Sequence, residues 1–177
     1  LTPIRSRLRE ATGSGHAALE AVMALSPLNL ECYGRALQVL HAVRAGWEPF
    51  LERFFPALPC PHLARLEADL AVLQRPTLAA APPPPANNQA EAWGVRYVLE
   101  GSALGGRMLL QQAAAIGLTA TYGASYFAGE GAETGRHWTR FLAELDAAAT
   151  ETSTPGIIRG AVGGFGALQA FAQGVLE

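Results

Sequence analysis

Apolar residues recur at three- and four-residue spacing along most of the chain, a pattern that predicts helices rather than strands. Ile4, Leu8, Ala11, Leu19, Val22 and Met23 mark a first helix running from Ile4 to Leu25. Thr2-Pro3 opens it and Ser26-Pro27 stops it. Asn29 is placed to cap a second helix carrying Tyr33, Leu37, Val39, Leu40 and Val43, then Phe50, Leu51, Phe54 and Phe55, with Pro49 marking a bend or break. After a turn region at Pro56 to Pro61, Leu63, Leu66, Leu70 and Leu73 form a third helix. Arg75 to Asn88 holds Pro76 and the run Pro82 to Pro85, which predicts an extended surface loop. Gln89 to Gly117 reads as one long apolar helix. A short segment with Tyr122, Tyr126 and Phe127 leads to the turn Gly129-Glu130-Gly131 and a helix from about Glu133 to Ala149. Thr154-Pro155 then opens a final helix that continues to the terminus. With no strand pair and no fixed repeat, the expected class is all-α, one domain over residues 1–177 with the proline-rich loop inside it.

Composition narrows the function classes. Half of the 177 residues are hydrophobic and 16% are charged, so the interior must be large for the size. A net charge of −2 gives no reason to expect nucleic acid as a partner. Every basic residue is arginine, so an anion site must use guanidinium, backbone N–H or hydroxyl groups. Cys32 and Cys60 form neither a disulfide scaffold nor a CxxC metal site, which fits free thiols in a reducing cytosol and a cytoplasmic protein. Gly160 to Leu176 lacks any charge, but its glycines, glutamines and modest length read as a buried terminal helix rather than a membrane span.

The segment Tyr97-Val98-Leu99-Glu100-Gly101-Ser102-Ala103-Leu104-Gly105-Gly106 places three glycines inside an apolar helix. Each such glycine costs about 0.8–1 kcal/mol relative to alanine. A helix that tolerates this has something pressed against its bare backbone or needs to bend there. A close helix crossing is one explanation; a bound ligand is the other. Gly101 and Gly105 lie one turn apart and face the same way.

Far upstream, His16 stands on the first helix with Glu20 one turn later and Arg9 about two turns earlier. A carboxylate at Glu20 can hold one imidazole nitrogen and leave the other for a metal. None of His16, His41, His62 and His137 pairs in an HxxxH or HExxH pattern, so a histidine-rich zinc site has little support. No nucleophile elbow, P-loop or dinucleotide fingerprint follows a strand, which disfavours hydrolase, kinase and nicotinamide-dehydrogenase chemistry.

Arg9-Glu10-Ala11-Thr12, followed by His16 and Glu20, resembles the proximal helix of the heme oxygenase family, and Tyr97 to Gly106 resembles its glycine-rich distal helix in the bacterial form. Tyr126-Phe127 with the glycine turn, then Trp138 and Phe141, is similar to the downstream part of those proteins. The likeness covers nearly the whole chain, and the distal block is its most specific part.

The resemblance implies a helical bundle with heme between a proximal N-terminal helix and a kinked distal helix. His16 would be the axial ligand of the heme iron, and Gly101, Ser102 and Gly105 would face the iron's other side, with Gly106 easing the kink. Arg9, Tyr126 and Arg136, with Arg140 beside them, are the candidate propionate partners. The reaction implied is heme self-hydroxylation with dioxygen and external electrons to biliverdin, carbon monoxide and ferrous iron. A ferredoxin or reductase would be the donor, and a phytochrome a candidate acceptor of biliverdin. Many members carry an aspartate where this chain has Ser102, and a second basic residue where it has Gly13. The serine keeps a rival reading open, a heme-binding or heme-carrying protein without turnover; a helical interaction domain without cofactor is a third. Cys60-Pro61 offers thiolate ligation as a further, weaker alternative.

Overall fold

The computed structural model describes residues 2–23, 28–56, 61–104, 106–129 and 131–176. Among them are helices α1 (Pro3–Met23), α2 (Leu30–Leu51), α3 (Pro61–Val72), α4 (Gln89–Leu104), α5 (Gly106–Ala115), α6 (Ser125–Ala128), α7 (Ala132–Ala148) and α8 (Thr154–Leu176). No strand occurs among the described residues; extended pairing is limited to isolated bridges from Thr119 to Tyr122 and Gly123. The fold is therefore all-α, as the periodicity predicts. The stop at Ser26-Pro27, the residue Cys60 and the distal Gly105 lie outside the described residues.

The second helix is the centre of the molecule. Tyr33, Leu37, Val39, Leu40, Val43, Trp47 and Leu51 are all buried, so α2 is apolar around most of its circumference and is wrapped by its neighbours. Asn29 caps it as expected, its side-chain oxygen accepting from the Cys32 N–H at 2.9 Å. Pro49 falls inside α2, two residues before its end. A smaller core joins Ile4 and Leu8 of α1, Phe141, Leu142 and Leu145 of α7, and Ile157 and Ala161 of α8.

Helices α4 and α8 cross at backbone distance. A Cβ added at Gly94 would sit 2.1 Å from the Ile157 carbonyl oxygen, and one at Gly160 would sit 2.0 Å from that of Glu91. Glycine is thus required at both positions by a close approach of two main chains. Helix α8 also packs along α1, which makes it the common wall against which α1 and α4 are set.

Within the helix predicted over residues 89–117, α4 runs from Gln89 to Leu104 and α5 from Gly106 to Ala115, and Gly105 between them lies outside the described residues. The proline-rich segment is extended and mostly exposed, as its composition predicts, and it is also strapped to α2. The Ala81 N–H donates to the Ala42 carbonyl at 2.8 Å, Gln38 Nε2 to the Pro76 carbonyl at 2.7 Å, and Trp47 Nε1 to the Pro82 carbonyl at 3.0 Å. Gly46 allows the approach, since a Cβ there would lie 1.9 Å from the Ala81 oxygen. Gln38, Ala42 and Gly46 are four residues apart, so one stripe of α2 receives the strap. Among the described residues, no helix is long and apolar enough to cross a membrane.

Candidate functional site

A cleft of about 520 Å³ opens between α1 and α4, with contributions from α7 and α8. On α1, the buried stripe Ile4, Leu8 and Thr12 anchors the helix, and the Thr12 hydroxyl is satisfied by the Leu8 carbonyl at 2.8 Å. The adjoining stripe Arg9, Gly13 and His16 then faces the cleft, followed by Leu19. Helix α4 contributes Tyr97, Val98, Gly101 and Ser102; α7 contributes Trp138; α8 contributes Phe165 and Leu168. The lining is mostly apolar and aromatic with a few polar groups, the usual make-up of a site for an organic ligand.

Bare backbone borders the cleft on two helices. A Cβ added at Gly13 or at Gly101 would meet nothing within 4 Å. Gly101 is therefore not a helix-crossing glycine. That role belongs to Gly94, two turns earlier, which the sequence pattern does not single out. A close crossing is thus found at Gly94, whereas Gly101 faces open space in the cleft.

His16 stands at the open side of the cleft with its side chain 62% exposed. Its Nδ1 lies 3.4 Å from Glu20 Oε1, and its ring centroid is 5.9 Å from that of Phe165. With Nδ1 beside a carboxylate, Nε2 is the nitrogen left for a ligand. Among the described residues, no group of three or more histidine, cysteine or acidic side chains could hold a metal ion.

Ser102 joins the cleft to a buried polar cluster. Its Oγ donates to the Leu99 carbonyl at 2.6 Å and lies 3.3 Å from both Arg44 Nη2 and the Tyr126 hydroxyl. Arg44 is 3% exposed; it donates through Nε to Tyr126 at 3.0 Å, through Nη1 to Glu48 at 2.7 Å and through Nη2 to the Leu99 carbonyl at 2.8 Å. Behind it, a small cavity is lined by Glu48, His62, Arg96 and Glu100. Burial, then the Arg44 charge, pushes His62 down to about 3, so its imidazole is neutral. Glu100 accepts from His137 Nε2 at 2.9 Å and from Arg96 at 3.3 Å. Burial pushes the Glu100 carboxyl up, but His137, Arg96 and Arg44 outweigh it and hold it below its ordinary range. The same hydrogen bond raises His137 against its partial burial.

The cleft thus gathers Arg9, His16, Gly101 and Ser102, with Glu20 beside His16. It does not gather Tyr126 or Arg136. Tyr126 is 1% exposed because Asp69 fixes the start of α6, accepting from Ser125 N at 2.9 Å, from Ser125 Oγ at 2.8 Å and from Tyr126 N at 2.8 Å. Its hydroxyl is therefore spent on Arg44 from the interior, and a propionate-side role does not fit that position. Arg136 is exposed and bonded to Glu133, three residues earlier on α7. Gly106 begins α5, and Gly105 lies outside the described residues. Phe165 belongs to the cleft, whereas Phe171 packs against the main core.

Arg44, Glu48 and His62 are the polar residues that sequence reasoning misses. The available signal is the Arg44 and Glu48 pair, one turn apart in the otherwise apolar α2. Nothing local connects that pair to Ser102.

No family model matches the chain. A heme oxygenase of Xanthomonas campestris pv. campestris is 33% identical over 108 residues, which is 58% of this chain and 58% of that protein. A crystal structure of the heme oxygenase from Neisseria meningitidis, determined with NO and CO bound, superposes with a TM-score of 0.77 over 98% of this chain and 92% of that one, at 23% identity. The sequence likeness spans somewhat over half of the Xanthomonas protein, and the structural likeness is one of fold.

Proposed function

From a chain that resembles heme oxygenases in sequence and carries their fold, we propose a heme oxygenase that holds heme between α1 and α4 and cleaves it to biliverdin, carbon monoxide and ferrous iron. One observation carries the reading: a single histidine at the cleft's open side, on α1, and bare backbone on α4, where Gly101 has nothing within 4 Å of its missing side chain. The donor set fits heme and little else, since one imidazole can supply an axial ligand but cannot bind a free metal ion alone. When bound, heme supplies the iron that activates dioxygen and the porphyrin carbon that is oxidised.

The chain's own residues bind, orient and exclude. His16 would present Nε2 to the heme iron, with Glu20 restraining the imidazole through Nδ1. Leu19, Val98, Phe165, Leu168 and Trp138 supply apolar contact and keep water from the ring faces. Arg9 is the described basic residue of the cleft and pairs with a propionate. Gly101 would leave room for a small ligand of the heme iron, and the family resemblance extends that role to Gly105, with Gly106 easing a kink. Ser102 is the hydroxyl of α4 at that face. Electrons come from a ferredoxin or reductase, and a phytochrome is a candidate acceptor of biliverdin.

A second reading, heme binding without turnover, has its own support: among the described residues no carboxylate lines the cleft, and the Ser102 proton rests on Leu99. One experiment separates them. Purified protein is titrated with hemin and then given ascorbate or a ferredoxin and reductase under air. A Soret band that converts to biliverdin absorption supports the oxygenase. A stable Soret band supports the carrier, and no Soret shift refutes both.

A further inference from the structure

The cluster behind Ser102 lies outside the cleft, and heme binding makes no use of it, yet it accounts for every hydrogen-bonding site of the serine hydroxyl but one. A hydroxyl has one proton to donate and two lone pairs to accept with. Arg44 Nη2, 3.3 Å away, can only donate. The Tyr126 oxygen already accepts from Arg44 Nε at 3.0 Å, which directs its own proton toward Ser102 Oγ at 3.3 Å. Both acceptor sites of Ser102 are therefore filled from the interior. Its single proton rests on the Leu99 carbonyl at 2.6 Å, an oxygen that Arg44 Nη2 also serves at 2.8 Å. Turning that proton into the cleft leaves the carbonyl still hydrogen-bonded, so the rotation strands no buried acceptor.

We propose that Tyr126 and Arg44 are positioning residues for Ser102: they load its hydroxyl from behind and make it a polarised donor that turns from Leu99 toward an acceptor ligand in the cleft. Glu48 holds the guanidinium through Nη1 at 2.7 Å, and Asp69 holds the tyrosine through its backbone N–H at 2.8 Å. Both supports are buried, Glu48 at 5% and Asp69 at 1% exposure, so the arrangement is fixed before any ligand arrives. Donors in a chain strengthen one another, so the Ser102 proton is a better donor than that of an isolated serine. The consequence is a preference at the α4 face for ligands that accept a hydrogen bond, anions above all. The inference rests on the heme reading, because the ligand it concerns sits on the iron that His16 would hold.

The test is a double-mutant cycle read by azide binding to the hemin-loaded ferric protein, with Ser102→Ala, Tyr126→Phe and the double variant. Tyr126→Phe keeps the ring against Phe127 and His62, and a thermal melt of each variant checks the fold. Loss of one hydrogen bond to an anion is expected to weaken azide by about tenfold in Ser102→Ala. Tyr126→Phe is expected to weaken azide about three- to fivefold when Ser102 is present and by less than about 1.5-fold in the Ser102→Ala background. An equal effect of Tyr126→Phe in both backgrounds would make it a general structural residue and overturn the proposal. So would an unchanged azide affinity in Ser102→Ala with the Soret band intact. A parent protein that gives no Soret band on adding hemin overturns the heme reading itself and this proposal with it.

Discussion

Gly94 and Gly101 lie on the same helix and respond in opposite ways to an added methyl group. At Gly94 the new Cβ would lie 2.1 Å from the Ile157 oxygen, 2.4 Å from the Ala161 nitrogen and 2.7 Å from the Gly160 carbonyl carbon. All three are backbone atoms of α8, so no rotamer change relieves them, and α8 must retreat by about 1 Å to restore ordinary contact. Overpacking of this kind costs roughly 1–3 kcal/mol, against which alanine returns about 1 kcal/mol of helix propensity. Gly94→Ala is therefore expected to destabilise the heme-free protein by up to about 2 kcal/mol. At Gly101 nothing lies within 4 Å, so alanine collects its helix preference without a clash. Gly101→Ala is expected to stabilise the heme-free protein by about 0.5–1 kcal/mol. The same open space is the room left for heme and its small ligand, so the gain reverses on binding. In Gly101→Leu the overpacking falls on the bound state, which is expected to weaken hemin by about 10–100-fold. Urea unfolding of the heme-free variants and Soret titration with hemin measure the two effects separately. If Gly101→Ala destabilises the heme-free protein by 1 kcal/mol or more, or Gly101→Leu binds hemin at parental affinity, the assignment of this face to the ligand is wrong.

The other expectations are shorter to state. His16→Ala is expected to slow biliverdin formation by at least about 100-fold, with partial rescue by added imidazole, while urea stability moves by less than about 0.5 kcal/mol because the side chain is mostly exposed. Parental turnover in that variant without imidazole would remove His16 as ligand. For the His137 and Glu100 pair, the raised His137 pKa gives stabilisation complete below its unfolded value of 6.5 and lost as pH rises through the folded value. The lowered Glu100 pKa gives stabilisation present above 4.5 and lost as pH falls through the folded value. His137→Asn should therefore differ most from the parent in urea midpoint between these limits and converge with it in alkali; a gap that widens above neutral pH would refute the pairing. His62 is held neutral down to about 3, so below 6.5 the unfolded chain takes up a proton that the folded chain refuses. His62→Phe is expected to lose roughly 2–3 kcal/mol less stability than the parent between pH 6 and pH 4, read from urea curves at each pH.

The helices were legible because periodicity and caps are local: the Asn29 cap needs only Cys32, three residues away. The fate of each glycine was not, because helical spacing says which positions are bare and packing decides what lies opposite them. Gly94 and Gly101 look alike in sequence, and only the path of α8 past Ile157 and Ala161 distinguishes them. The attachment of the proline-rich strap is hidden for a related reason. Most of the segment is exposed, as its composition suggests, but Ala81 and Pro82 also find partners at Ala42 and Trp47 of α2, and Gly46 is what lets them in. Tyr126 was drawn to the cofactor's edge by its place in a downstream block, whereas Asp69, more than fifty residues earlier, turns it inward.

Ser102 follows from the same burial. A serine where many heme oxygenases carry an aspartate looks like the loss of a charge, but the charge count of the cluster behind it says otherwise. Arg44 is buried and already paired with the buried carboxylate of Glu48 at 2.7 Å, with Tyr126 on its remaining edge. A second carboxylate at position 102, half-buried at the cleft wall, would set two acids against one guanidinium and add a negative charge beside the buried Arg44 and Glu48 pair. That charge would compete with Glu48 for Arg44. Serine keeps the cluster neutral while still accepting from Arg44 and Tyr126 and retaining one proton to give. The residue at 102 is thus matched to Arg44 on α2, fifty-eight positions away, and the two are best understood as one unit.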